Sequence, residues 1–279
     1  MNPIPSIDLK ARYGRTPDEV YGIGYLDGLI QSLERLEGEV HSNREKIFRI
    51  AQLYIDGVIE SKANRKASYE EWEAKDSALR AINYAGMQAM DSFYRGEGIN
   101  EEQLRETILP HADTILRHGS LRASKKRHLT GVVDSVQDRI LTLQRSLEKI
   151  GPLDSIVAVA SGALEPAYVL AKVLEIPEVA AARLSRMAKN DSRVKTPTRD
   201  TDRYLRWHCE GKNVLVVEDI ALEGVSMAKV LKKAIEYNPK RVVGLIIKGK
   251  PATVLGKVSS KLYQRTLGEN TGIFEVKRE

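Results

Sequence analysis

The chain has 279 residues, 42% of them hydrophobic and 29% charged, a balance that excludes a disordered chain and leaves room for two ordinary domains. Its single cysteine, Cys209, excludes an intrachain disulfide and any cysteine-based zinc cluster, so a metal, if used, is expected on oxygen ligands. The net charge of +6 is uneven: residues 1–150 carry 22 basic and 23 acidic side chains, so the excess lies in the remainder, where a positive field suits phosphate esters or nucleic acid.

No apolar run approaches the roughly 18 residues of a membrane-spanning helix. The start, Met1-Asn2-Pro3-Ile4-Pro5, has neither a basic leader nor an apolar signal core, so a cytoplasmic protein without a membrane partner is expected. Up to about Ile150 the chain reads as helices. Thr16-Pro17-Asp18-Glu19 combines a capping threonine, a first-turn proline and a capping-box glutamate. Ser68 with Glu71 opens a helix through about Met90, and Asn100 with Gln103 opens another through about Arg117, with Gly96 and Gly98 marking the turn between them. Val133, Val136, Ile140, Leu143, Leu147 and Ile150 then form a stripe on one helical face, read as bundle core or as a seam against a second domain. Tyr21-Gly22-Ile23-Gly24-Tyr25 follows no strand, and the third glycine is misplaced for a dinucleotide loop, so it is read as helix packing.

Gly151-Pro152 breaks the helical pattern and the period changes. Strands are expected at 155–160, 178–183, 213–217 and 241–247, with helices from Glu165 to Glu175 and from Gly224 to about Tyr237. Strands alternating with helices predict a doubly wound parallel sheet. The expected organisation is an all-α domain over residues 1–150, an α/β domain over 151–256, and a C-terminal tail or hood element over 257–279. Between Leu184 and Gly211 the polar, Arg- and Lys-rich sequence with Pro197 reads as a mobile loop covering a site. Cys209 is read as a small buried residue rather than a nucleophile, with His208 pointing away from it as neighbours on a strand do.

In an open parallel sheet ligands bind at the carboxyl ends of the strands. Val214 to Val217 is followed by two carboxylates, Glu218 and Asp219, and then by Ala221-Leu222-Glu223-Gly224-Val225-Ser226 at a helix start. Carboxylates there meet ligand hydroxyls or a hydrated cation, while backbone N–H groups and Ser226 cradle an anion. Two adjacent carboxylates after an apolar strand need such partners, because a buried charge without them is costly. A second turn of small residues, Ser161-Gly162-Ala163, follows the first strand and lets backbone amides approach an anion.

Taken together, this hydrophobic strand, acidic pair and glycine-containing loop resemble the type I phosphoribosyltransferases over roughly residues 153–251. The resemblance implies that Glu218 and Asp219 engage ribose hydroxyls, that Ala221 through Ser226 hold the 5-phosphate, and that Ser161, Gly162 and Ala163 form the pyrophosphate loop. It places Arg183, Arg186, Lys189, Arg193 and Lys195 in the stretch that supplies basic residues and a lid over the pyrophosphate. The chain carries Leu222 and Glu223 where the family usually has threonines. The reaction implied is displacement of pyrophosphate from phosphoribosyl pyrophosphate by a ring nitrogen of a base, with Mg2+ borne by the ligand rather than by direct protein ligands.

The alternative is a non-catalytic protein of the same fold that senses the sugar phosphate or a nucleotide. Nucleic acid is a conceivable partner of its basic face, but no helix-turn-helix motif supports it, and the basic cluster Arg122 to His128 is as short as an ordinary interhelical turn. A phosphatase or receiver-like reading lacks a second acidic strand end. For the helical half, a hood, a partner-binding module and a homo-oligomer interface all stay open.

Overall fold

The structure is a computed structural model, and it describes residues 40–60, 67–95, 97–119, 147, 150–160, 162–184, 193–221, 223–258, 262–266 and 273–278. The expected helix start at Thr16, the Tyr21–Tyr25 segment and the cluster Arg122 to His128 lie outside these residues, as does the apolar stripe from Val133 apart from Leu147, which is helical and buried, and Ile150.

Among the described residues, two long helices, α1 (Val40–Glu60) and α2 (Tyr69–Tyr94), and the shorter α3 (Glu101–Ile108) precede the sheet. Both expected caps form: Ser68 accepts from the Glu71 N–H, and Asn100 accepts from the Gln103 N–H. Helix α2 runs on to Tyr94, four residues past the expected end. The helix expected to reach Arg117 instead breaks into α3, a 3-10 turn over Leu109–His111 and α4 (Ala112–His118), because Pro110 has no N–H to continue the ladder.

The sheet has seven strands: β1 (Ser155–Val159), β2 (Val179–Leu184), β3 (Val194–Lys195), β4 (Asn213–Ala221), β5 (Arg241–Gly249), β6 (Leu262–Thr266) and β7 (Ile273–Arg278), in the order β3-β2-β1-β4-β5-β7-β6. β2, β1, β4 and β5 are parallel, while β3, β7 and β6 join antiparallel, so the expected parallel sheet is a mixed one with a parallel centre. Residues expected as a tail or hood thus include two strands of the sheet. Gly244 of β5 pairs with Phe274 of β7, whose ring packs where a side chain at Gly244 would stand.

Alternation along the strands divides the interior in two. Ile156, Ala158, Leu215 and Val217 face α1, α2 and α5 (Leu164–Val173). Val157, Val159, Val214 and Val216 face α6 (Thr201–Cys209) and α7 (Val225–Glu236). Helices therefore cover both faces, the doubly wound arrangement, and the N-terminal helices share one apolar core with the sheet. Two polar ties pin that layer. Asn83 of α2 donates to the Val179 carbonyl at 3.1 Å and accepts from the buried Tyr168 hydroxyl at 2.9 Å, so both ends of a buried amide are satisfied. Arg44 of α1 meets Glu165 of α5 at 3.2 Å, with both side chains nearly sealed from solvent.

Two further expectations are corrected. The segment from 184 to 211, expected as one long loop, contains β3 and the helix α6, which Asp200 caps by accepting from the Arg203 N–H. His208 and Cys209 are therefore neighbours on a helix, and both are buried. Burial pushes the Cys209 thiol up to about 12, so no thiolate is available near neutral pH.

Candidate functional site at the β1/β4 crevice

From β1 the chain passes through α5 to β2 on one side, whereas from β4 it passes through α7 to β5 on the other. The two crossovers diverge between β1 and β4, which creates a crevice at the carboxyl ends of those two strands. Each strand there feeds a helix whose first turn has no side-chain cap: Ala163 precedes α5 and Gly224 precedes α7. Without such a cap, first-turn N–H groups and the helix dipole suit each terminus to an anion.

Gly224 has φ of 67°, in the left-handed region that glycine adopts without a Cβ penalty, and its α carbon lies against the Thr253 carbonyl at the start of the short helix α8 (Pro251–Leu255). A side chain there would stand 2.8 Å from that oxygen, so the turn is closed to other residues by packing as well as by conformation. Val225 and Ser226 form the first turn of α7 and are half-buried, Ala221 is buried at the end of β4, and Glu223 is exposed. Leu222 lies outside the described residues, as do Ser161, Arg186 and Lys189.

The acidic pair does not follow its strand. β4 continues through Ala221, pairing Glu218 with Ile246 and Ile220 with Lys248, so both carboxylates belong to the ladder and point to opposite faces. Glu218 is buried toward the α6 and α7 side; Asp219, partly exposed, turns toward α5. There it meets Gly162: a Cβ built on that glycine would lie 2.5 Å from the Asp219 Cγ and closer still to its Oδ2. The loop after β1 and the acid of β4 are thus brought into contact, with glycine required by the approach of the carboxylate. Two carboxylates on opposite faces do not make a cage for a resident cation; the donor set suits a cation that brings most of its oxygen ligands with it.

Arg183 is not at this crevice mouth as a free cation. It is buried in β2 and ion-paired with Asp56 of α1. Arg193 and Lys195 lie on or beside β3, at the far edge of the sheet. Sequence reading missed α6 and the group it builds: Asp202 binds the Lys233 ammonium of α7 at 2.8 Å and accepts from the Tyr237 hydroxyl. Hydrogen bonds from Lys233 first, and then from Tyr237, hold the Asp202 carboxyl below its ordinary range. The signal was present in Asp200, three residues before Arg203, and in the spacing of Tyr204, Leu205, His208 and Cys209 on one helical face.

No curated protein matches the chain. Among solved structures, a hypoxanthine-guanine phosphoribosyl transferase of L. donovani aligns at 12% identity over 53% of this chain and 95% of that one, with a TM-score of 0.32. Residues 141–259, which include β1, β4, the acidic pair and the Gly224 turn, match the family model of the phosphoribosyl transferase domain. The C-terminal half of this chain carries a phosphoribosyl transferase domain.

Proposed function

We propose that the β1/β4 crevice binds phosphoribosyl pyrophosphate and that the protein transfers its phosphoribosyl group to a nitrogenous base. The observation that carries this reading is the contact of the Gly162 loop with Asp219 between two helix N-termini that have no side-chain cap. In this reading the terminus at Val225 and Ser226 receives the 5-phosphate, and the one behind Gly162 and Ala163 receives the pyrophosphate. Glu218 and Asp219 then sit between them, where the ribose hydroxyls fall. Magnesium carried in with the pyrophosphate would neutralise charge on the leaving group. The remaining catalysis is positioning: carboxylates hold the ribose, and amides fixed in advance hold both anionic ends while the base nitrogen attacks C1 and pyrophosphate departs. No protein nucleophile is required.

A second reading, a ligand-sensing protein without turnover, is favoured by Glu223. Its carboxylate stands exposed in the turn assigned to the phosphate, in a position where the family usually provides a hydroxyl. Titration calorimetry of phosphoribosyl pyrophosphate with magnesium, followed by a pyrophosphate-release screen over purines and pyrimidines, separates the two. Binding with base-dependent release supports the transferase, and binding without release moves the sensor to first place. Loss of binding in the Glu218→Gln/Asp219→Asn variant, with thermal unfolding of the ligand-free protein nearly unchanged, is the expected control; binding left intact by that variant would sink both readings.

A further inference from the structure

Two clefts meet along α6, and neither is lined by Gly162, Glu218, Asp219 or Gly224. They share Trp72, Thr198, Arg199, Thr201 and Asp202, so together they form one trough. The first cleft, of about 890 Å³, is lined by six cationic side chains and only two carboxylates. Those two, Asp202 and Glu236, are both held on Lys233. Lys229 and Lys232 of α7 face Arg193 and Lys195 of the β3 edge across it, and Arg199 stands at the junction.

The second cleft, of about 1430 Å³, has a different chemistry. It presents Tyr69, Tyr84 and Trp207, which are 65%, 42% and 71% exposed and are the large hydrophobic side chains most open to solvent among the described residues. Two of them are held in place. The Lys212 ammonium lies 5.2 Å from the Trp207 ring centre, and Gln103 donates to the Tyr84 hydroxyl at 3.1 Å. Asp76, also in the lining, has a buried carboxylate oxygen with no hydrogen-bond partner among the described residues, and desolvation raises its pKa. Glu73 and Glu178 add further acceptors.

We infer that this trough binds single-stranded nucleic acid, with phosphates along the Lys229, Lys232 and Arg199 cleft and bases over Tyr69 and Trp207. Exposed aromatic faces beside a cationic track are what unpaired bases stack on, and paired bases inside a duplex are not free to do so. Carboxylates in the aromatic cleft would repel a phosphate but accept from the amino groups of bases, which sets the strand's orientation across the trough. The nine residues of α6 extend about 13 Å, enough for about four nucleotides at ~3.4 Å per step.

The test is fluorescence anisotropy of the full chain with a labelled deoxycytidine strand of about twelve nucleotides, whose bases carry an amino group and whose length is within the usual site sizes. With about four phosphates engaged, the logarithmic salt slope is expected near about −2.8, at about −0.7 per phosphate. Lys229→Gln/Lys232→Gln should flatten that slope by about 1.4. Trp207→Ala should weaken binding by about tenfold or more without changing the slope, and Trp207→Phe should restore most of the loss. Because Trp207 is exposed, unchanged thermal unfolding of both variants keeps the comparison clean. Absence of binding at low salt, equal affinity for a duplex of the same length, or binding indifferent to Trp207→Ala would each overturn the inference. Displacement of the strand by inorganic tripolyphosphate, with no effect of Trp207→Ala, would overturn it in favour of a small-anion site.

Discussion

Substituting Gly162 by alanine is the most direct probe of the crevice. The glycine's φ lies outside the left-handed region, so alanine meets no backbone penalty, and the cost comes from a single neighbour. The new Cβ would stand 2.5 Å from the Asp219 Cγ, whereas ordinary contact begins near 3.4 Å, so carboxylate or loop must yield by about 1 Å. Overpacking of that size costs about 1–3 kcal/mol, equivalent to a fall in melting temperature of about 2–8 °C in a chain of this length. A shift of about 1 Å at a positioning group also lowers phosphoribosyl pyrophosphate affinity or turnover by up to about a hundredfold. The decisive measurement is a double-mutant cycle by chemical denaturation. In an Asp219→Ala background the clashing atoms are gone, so Gly162→Ala should there become nearly neutral, giving a coupling of about 1–3 kcal/mol. Equal costs in both backgrounds would refute the contact, and with it the argument that the two loops form one site.

Acid should unfold the protein partly through His208. Burial, assisted by the Lys212 charge, lowers its pKa to about 4, against an ordinary value near 6.5, so the fold holds a neutral ring. Its contribution is complete above pH ~6.5 and is lost as the pH falls towards ~4, to a total of about 3 kcal/mol. The Glu178 carboxylate, 4.0 Å from the ring, opposes this shift, but it is more than half exposed and screened by water, so burial prevails. Urea unfolding of His208→Gln at neutral and at acid pH should show a shallower loss than the parent; an identical loss would remove His208 from the account. Asn83→Ala should destabilise by about 2–4 kcal/mol, because it strands both the Val179 carbonyl and the Tyr168 hydroxyl, and denaturation at constant m-value measures it. Glu223→Thr, which removes an exposed anion from the phosphate turn, should tighten phosphoribosyl pyrophosphate binding in calorimetry; no gain would mean that the carboxylate points away from the ligand.

The central strands were legible because each is a short β-branched run, and both N-caps before the sheet were legible because Ser68 and Asn100 bond the amides that their spacing predicts. What escaped has physical reasons. β4 outruns its apolar segment because β5 offers a continuous ladder as far as Gly249, and strand pairing, unlike hydrophobic pattern, is not written in the strand itself. Helix α6 is mostly charged and buries only Leu205, His208 and Cys209 fully, so its period is faint beside the Arg and Lys that surround it. β6 and β7 owe their place to the edge of β5. Within the site, the acidic pair and the Gly224 turn stood out as chemistry. The contact of Gly162 with Asp219 spans 57 positions and belongs to the fold alone.

The Asn83 clasp has a consequence for how the molecule comes into being. During synthesis α1 and α2 leave the ribosome well before β1, so the apolar side that they later lay on the sheet has no partner for the time it takes to add β1 through β4. Asn83 puts a polar amide on that otherwise apolar side, and satisfying both its ends takes Tyr168 and the Val179 carbonyl together. A surface that covers these helices without supplying both an acceptor and a donor there leaves the amide unanswered, so the clasp favours the native layer over other coverings.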